Sequence, residues 1–142
     1  MKKILSFFIS LIAIMALNDC GGGNDEIHNW IIPENISGIW VVNFSEGDMN
    51  LSKLKEYRFT LQELNGSISG NFEEFYYDDK YFNYPIEGSF NWDNGVLKLR
   101  HDSHLYGYQG EIFRFTSEAM MYAVSKENRD LPRYECIKIA DM

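Results

Sequence analysis

YRFTLQELNGSISGNF, residues 57–72, decides the fold of this 142-residue chain. Two alternating runs flank Asn65-Gly66. Tyr57, Phe59 and Leu61 share one face of the first run, and Ile68, Gly70 and Phe72 share one face of the second. A tight hairpin turn needs positive φ at both central residues, which Asn-Gly supplies at little steric cost. Period-two alternation on both sides then predicts an antiparallel hairpin with one face turned to a core.

The same grammar continues outward. Upstream, residues 36–44 alternate with Trp40, Val42 and Phe44 on one face, opened by Gly38-Ile39-Trp40. Downstream, Tyr84, Ile86, Gly88 and Phe90 share a face, and Asp93-Asn94-Gly95 is a second turn signal. Leu97 and Leu99 oppose Lys98 and Arg100. Residues 106–116, 120–125 and 134–139 complete about eight strands, with Pro132 as a breaker before the last. No long amphipathic stretch intervenes, so parallel βαβ winding is not expected. The pattern predicts an all-β, antiparallel up-and-down barrel. Gly70, Gly88 and Gly110 fall inside strands, where glycine often marks a sharp bend at a barrel corner. In residues 106–116, Tyr106, Tyr108, Gly110 and Ile112 share one parity while Phe113 and Phe115 share the other. A β-bulge is expected there to reconcile them.

The N-terminus is of another kind. Lys2 and Lys3 precede a largely apolar run, residues 4–17, of 14 residues. A helix needs about 20 apolar residues to span a bilayer, and a basic head before a short apolar run is the signature of a secretory signal peptide. The run ends in Leu17-Asn18-Asp19-Cys20, followed by Gly21-Gly22-Gly23. Leu17 and Cys20 resemble the lipobox of bacterial lipoproteins, whose cysteine becomes the first mature residue and carries lipid. The resemblance implies a signal peptide over residues 1–19 and lipidation of Cys20. Membrane attachment would then run through acyl chains, each methylene burying about 0.8 kcal/mol. Gly21 after the cysteine implies an outer-membrane destination, on the periplasmic or cell-surface side. Residues 20–35 then read as a flexible tether and residues 36–142 as the folded domain. With Cys20 so used, Cys136 is left as a small buried hydrophobe of the last strand.

Gly38-Ile39-Trp40, the hairpin and the glycine-containing strands together resemble the lipocalin-like small barrels of bacterial lipoproteins, over residues 36–139. Avidin-like barrels share a similar opening and second hairpin, but their ligand-contacting tryptophans find no counterparts in this chain. The lipocalin resemblance implies a barrel holding a small apolar or amphipathic ligand. Trp40, Phe44, Tyr57, Phe59, Phe72, Tyr84 and Phe90 are the residues expected to face the interior. They can line a ligand cavity, or they can fill the barrel, since an eight-stranded barrel is just wide enough for either. In the second case the protein is a structural or interaction lipoprotein, a surface antigen or inhibitor, working through exposed loops. The aromatic and acidic stretch over residues 73–84 is then its contact surface with a protein partner. Glu73, Glu74, Asp78 and Asp79 read there as an exposed acidic loop.

No catalytic grouping is evident, and no enzyme activity or cofactor is expected. There is no Gly-x-Ser-x-Gly elbow, no glycine-rich phosphate loop and no calcium-loop spacing. His101 and His104 flank Asp102-Ser103 in what reads as a solvated turn. Two imidazoles fall short of the three or so protein ligands a zinc site takes. The formal net charge of −8 argues against a nucleic-acid partner, which a clustered Lys/Arg surface would serve.

Overall fold

The fold is described from a computed structural model of the chain, for residues 29–43 and 54–142. Eight strands follow one another: β1 (Gly38–Asn43), β2 (Leu54–Leu64), β3 (Ser67–Tyr76), β4 (Tyr81–Asn91), β5 (Val96–His101), β6 (Gln109–Ser117), β7 (Met120–Val124) and β8 (Pro132–Asp141). Each pairs antiparallel with the next, and β1 pairs with β8, so the sheet closes into a barrel in simple up-and-down order. Closure leaves no strand edge within this sheet for another chain to pair with.

The central hairpin forms as its sequence predicts. Leu64 opposes Ser67 across a two-residue turn, with Asn65 at φ 52° and Gly66 at φ 83°. The Glu63 carboxylate accepts the Gly66 amide at 2.6 Å and the Trp92 indole N–H at 3.1 Å, tying this turn to the next one. In that second turn Gly95, at φ 73°, donates to the Asn91 carbonyl at 2.8 Å. Register puts Phe59 opposite Phe72 and Leu61 opposite Gly70. A Cβ on Gly70 would lie 1.8 Å from the Thr60 carbonyl oxygen, and one on Gly88 would lie 2.1 Å from that of Lys98. At both places the sheet bends so tightly that only glycine fits. Gly110 differs from expectation, because nothing but the Lys126 amine comes within 4 Å of its would-be Cβ.

The bulge expected within residues 106–116 is not where the parity changes, since Ile112 and Phe113 stay in register with β5. Strand β6 starts only at Gln109, so Glu111, Phe113 and Phe115 alternate inward without interruption, while Tyr106 and Tyr108 stay in the preceding loop. The register shift falls instead between Phe115 and Ser117, opposite β7. Pro132 begins β8 rather than breaking it, a strand position that needs no ladder donor.

The residues expected as the end of a tether are folded onto the barrel. The Ile31 amide bonds the Phe115 carbonyl at 2.8 Å. Trp30 packs under the Arg114 guanidinium and gives its indole N–H to Asp130 at 3.0 Å. Ile36 is buried, and its carbonyl accepts the Trp40 indole N–H at 3.0 Å. Trp30, Ile31, Ile32 and Ile36 in so short a stretch carry more apolar surface than a solvated linker sustains. This end of the barrel is therefore closed.

Above it the interior is solid. Trp40, Leu61, Leu97, Phe113, Phe115, Met121 and Ala123 are 0 % exposed, so no water-sized void borders them. Ring centroids lie 5.7 Å apart for Trp40–Phe115, 5.8 Å for Phe90–Phe115, 4.9 Å for Phe59–Phe72 and 5.6 Å for Phe59–Phe113. The aromatic wealth of the inner face goes into ring-to-ring packing.

Candidate functional site

The opposite end of the barrel is different in kind. There β3, β5 and β6 carry polar side chains on the inward face. Strand β3 runs on past Phe72, and its alternation carries Glu74 and Tyr76 inside. Glu74 is 0 % exposed, where the sequence suggested an acidic surface loop. Its carboxylate accepts the Ser103 hydroxyl at 2.8 Å, the His104 backbone amide at 2.8 Å and the Tyr76 hydroxyl at 3.4 Å. Among the described residues no Lys or Arg pairs with it. A buried carboxylate is tolerated when donors surround it, and here the donors come mainly from the β5–β6 loop. Glu74 thereby clasps that loop to the barrel wall.

Phenol groups gather round the same carboxylate. The Tyr57 hydroxyl is pushed well above its ordinary range, first by burial and then by the negative charge of Glu74, while a bond to Ser103 works the other way. Burial and then Glu74 likewise raise Tyr76 and Tyr84. These hydroxyls stay protonated at neutral pH, able both to donate and to accept.

His101 closes β5 and is 4 % exposed, not solvated as its sequence context suggested. Its ring stacks on Phe72 at 4.0 Å and meets Phe59 edge-on at 5.5 Å. Nδ1 lies 2.9 Å from the Asp102 carbonyl. A carbonyl only accepts, so Nδ1 carries the proton and Nε2 carries a lone pair. Nε2 is buried without a hydrogen-bond partner among the described residues. Burial lowers the His101 pKa against the opposing pull of the Asp102 carbonyl, Glu111 and Glu74, which keeps the ring neutral. On the neighbouring strand Glu111 is buried and accepts Arg133 Nη1 at 2.5 Å.

His104 sits on the other side of the clasp. It stacks on Phe82 at 4.0 Å, and Phe82 lies parallel to Tyr84 at 6.4 Å. At this end of the barrel four tyrosines, Tyr77, Tyr81, Tyr106 and Tyr108, and Leu105 are exposed on or beside the β3–β4 and β5–β6 connections and form a rim. His101 and His104 therefore point to different neighbours, and among the described residues no three His, Cys, Asp or Glu side chains are grouped to hold a metal ion. Nor do Ser103, Glu74 and His101 form a nucleophile–base–orienter order, since Ser103 donates directly to Glu74 and His101 Nε2 bonds neither.

The residues singled out from the sequence thus divide. Trp40, Phe59, Phe72 and Phe90 are packed core, 0–4 % exposed. Tyr57 and Tyr84 belong to the polar end, Tyr84 half-buried. Cys20 and Phe44 lie outside the described residues. Glu74, His101, Ser103 and Glu111 were not singled out as interior residues. Extending the alternation two and four residues beyond Phe72 would have placed Glu74 and Tyr76 inside. A groove of about 370 Å³ lies outside the closed end, between Glu118 and Lys138. Its charges are already spent, Glu118 on the Glu34 and Asn35 amides and Lys138 on the Asn35 carbonyl and Asp141.

Comparison of the chain with protein-family models, with curated proteins and with solved structures found no match.

Proposed function

We propose that the chain is a non-catalytic, lipid-anchored envelope lipoprotein whose lipocalin-like barrel binds a small amphipathic ligand at its polar end. One observation carries this reading: hydrogen-bonding side chains turn inward at one end of a barrel that is otherwise apolar and solid. Burying polar groups is costly, and a purely structural barrel has no use for them there. The clasp from Glu74 to Ser103 and His104 also holds the β5–β6 loop in a set shape, and a preorganised wall lowers the entropic cost of binding. The mid-barrel rings serve as the floor of the site rather than its lining. Lipid on Cys20 would hold the protein on the outer membrane, with the barrel on the periplasmic or cell-surface side.

Native mass spectrometry of protein isolated from its host tests the binding. An added mass that leaves on denaturation is expected, and a bare polypeptide mass refutes it. The anchor has its own test. Cys20→Ala is expected to abolish acylation and release the protein from the membrane fraction, whereas an intact Met1 in the wild-type protein refutes lipidation. A second reading, a filled barrel acting on a protein partner through its loops, is favoured by the exposed rim of Tyr77, Tyr81, Tyr106 and Tyr108. It predicts partner cross-links from that rim and no small-molecule mass.

A further inference from the structure

We propose that the closed end of the barrel is a membrane-contacting surface: Leu64, Trp92, Ile31 and Ile32 rest on the bilayer that carries the lipid on Cys20, and the polar end faces away from it. The inference rests on the lipid-anchor reading above and adds the orientation that the anchored barrel takes.

These side chains are large, apolar and exposed, Leu64 at 73 %, Ile32 at 46 %, Trp92 at 40 % and Ile31 at 37 %. The fold gathers them from three places in the chain. Leu64 ends β2 at the central hairpin turn, Trp92 follows β4 into the next turn, and Ile31 and Ile32 belong to the segment laid against that second turn. Direct contacts join the three. The Glu63 carboxylate, beside Leu64, takes the Trp92 indole N–H at 3.1 Å, and the Gly66 carbonyl takes the Phe90 amide at 2.8 Å. A Cβ on Gly95 would meet the Ile31 carbonyl oxygen at 2.8 Å and Ile32 Cγ1 at 3.2 Å. The result is one arc of apolar groups across one end, and grouped exposure of this kind marks a contact surface where single exposed residues do not. Trp92 has its N–H satisfied at one edge and its ring in solvent, the amphipathic arrangement that suits a membrane interface.

The chain itself argues for a lipid surface as what covers the arc. Cys20 lies nine residues before Asn29 in the sequence, so the anchor stays within about 30 Å of that residue whatever path the chain takes. From Trp30, fixed to Arg114 and Asp130, the chain passes directly into Ile31 and Ile32. Four side chains are a weak hold for a free protein. A tether this short makes their contact intramolecular, at high effective concentration. The opposite end suits a bilayer less, because its exposed rings are tyrosines whose hydroxyls would give up water, and Asp78, Asp79 and Asp102 of the same connections are exposed with them. Near the arc Glu63 is taken up by the Gly66 amide and the Trp92 indole, while Glu34 and Asp93 are exposed. Those two carboxylates disfavour anionic headgroups, so the surface that fits is zwitterionic.

The lipidated protein purified from its host and reconstituted into phosphatidylcholine vesicles tests this. Flotation reads the anchor, and quenching of tryptophan by brominated acyl chains reads the contact. The wild-type protein is expected to float and to lose emission on brominated lipid. Trp92→Phe should lose most of that quenching, because Trp40 is sealed in the core. Leu64→Asp, at a side chain 73 % exposed, should fold and float yet be quenched less. Tyr77→Trp, made in the Trp92→Phe protein to place an indole at the opposite end, should add no quenching. Mixing in phosphatidylglycerol should weaken the quenching of Trp92 at low salt. Flotation with equal quenching of wild type and Trp92→Phe, Leu64→Asp quenched as fully as wild type, or quenching gained by Tyr77→Trp overturns the orientation and leaves the anchor standing. So does a Trp92 shielded from aqueous iodide but untouched by brominated lipid, which means that a second copy or another protein covers this end. Stronger quenching with phosphatidylglycerol overturns the match to a zwitterionic surface. Protein that does not float refutes the anchor and this inference together.

Discussion

Glu74→Ala tests whether the clasp organises the polar end. The substitution deletes the acceptor of two short bonds, from the Ser103 hydroxyl and the His104 amide at 2.8 Å each, and of the longer Tyr76 bond at 3.4 Å. Hydrogen bonds to a carboxylate are worth about 1.5–3 kcal/mol each, and an orphaned buried donor costs about 1–3 kcal/mol. The Ser103 hydroxyl can turn to another acceptor, but the His104 N–H is fixed by its backbone. Against these losses stands relief from desolvating the carboxylate, itself worth several kcal/mol in a buried site. The balance predicts a net destabilisation of about 2–4 kcal/mol for Glu74→Ala. Glu74→Gln keeps one carbonyl oxygen for His104 and turns an amide N–H₂ towards Ser103, which can accept it, so about 1 kcal/mol is expected. Urea unfolding followed by tryptophan fluorescence reads both values, with a shifted midpoint and an unchanged slope. Amide exchange adds the local readout: the His104 amide should lose its protection in the alanine variant and keep it in the glutamine variant. An alanine variant within about 0.5 kcal/mol of wild type, with His104 still protected, would refute the reasoning. So would a glutamine variant as damaging as alanine.

Gly70→Ala should destabilise by about 3 kcal/mol or more, because its Cβ would sit 1.8 Å from the Thr60 carbonyl at φ 145° and only backbone can give way. Gly110→Ala, with its nearest contact at 3.9 Å, should stay within about 0.5 kcal/mol in the same urea assay. The His101 pKa is lowered by burial from the ordinary 6.5, so the unfolded chain takes up the proton before the folded one does. Stability due to the neutral ring is complete above pH 6.5 and declines as pH falls from there towards the folded-state pKa. Urea midpoints measured from pH 7.5 down to 5 should therefore fall more steeply for wild type than for His101→Phe, and parallel curves would contradict a buried neutral histidine.

Local chemistry in the chain was enough for the barrel. Asn65-Gly66 dictates a tight turn because few other residue pairs accept two positive φ angles. Alternation in residues 57–72 sets which side chains face inward, because successive side chains of a strand point to opposite faces. Repeated across the chain without a helical period, these signals leave antiparallel closure as the consistent outcome. Where they faltered, the reason was also local: Tyr106 and Tyr108 mimic strand residues in composition but precede β6, so the parity conflict with Phe113 never arises. The tether reading of residues 29–35 failed because a segment's docking depends on the surface it meets, here Arg114, Phe115 and Asp130.

Only the tertiary structure decided what the barrel contains. Alternation assigns a face to Glu74 but cannot say that a carboxylate is tolerated inside. That depends on donors from Ser103 and His104, 29 and 30 residues away, which arrive only when β4 and β5 complete the wall. His101 reads as a turn residue until β5 is seen to carry it onto Phe72. Whether Trp40, Phe59, Phe72 and Phe90 fill the barrel or line a cavity is likewise set by distances across it, with Phe113 and Phe115 arriving from the opposite wall to close the gap. Sequence spacing carries side-chain direction along one strand; it does not carry the radius at which eight strands meet.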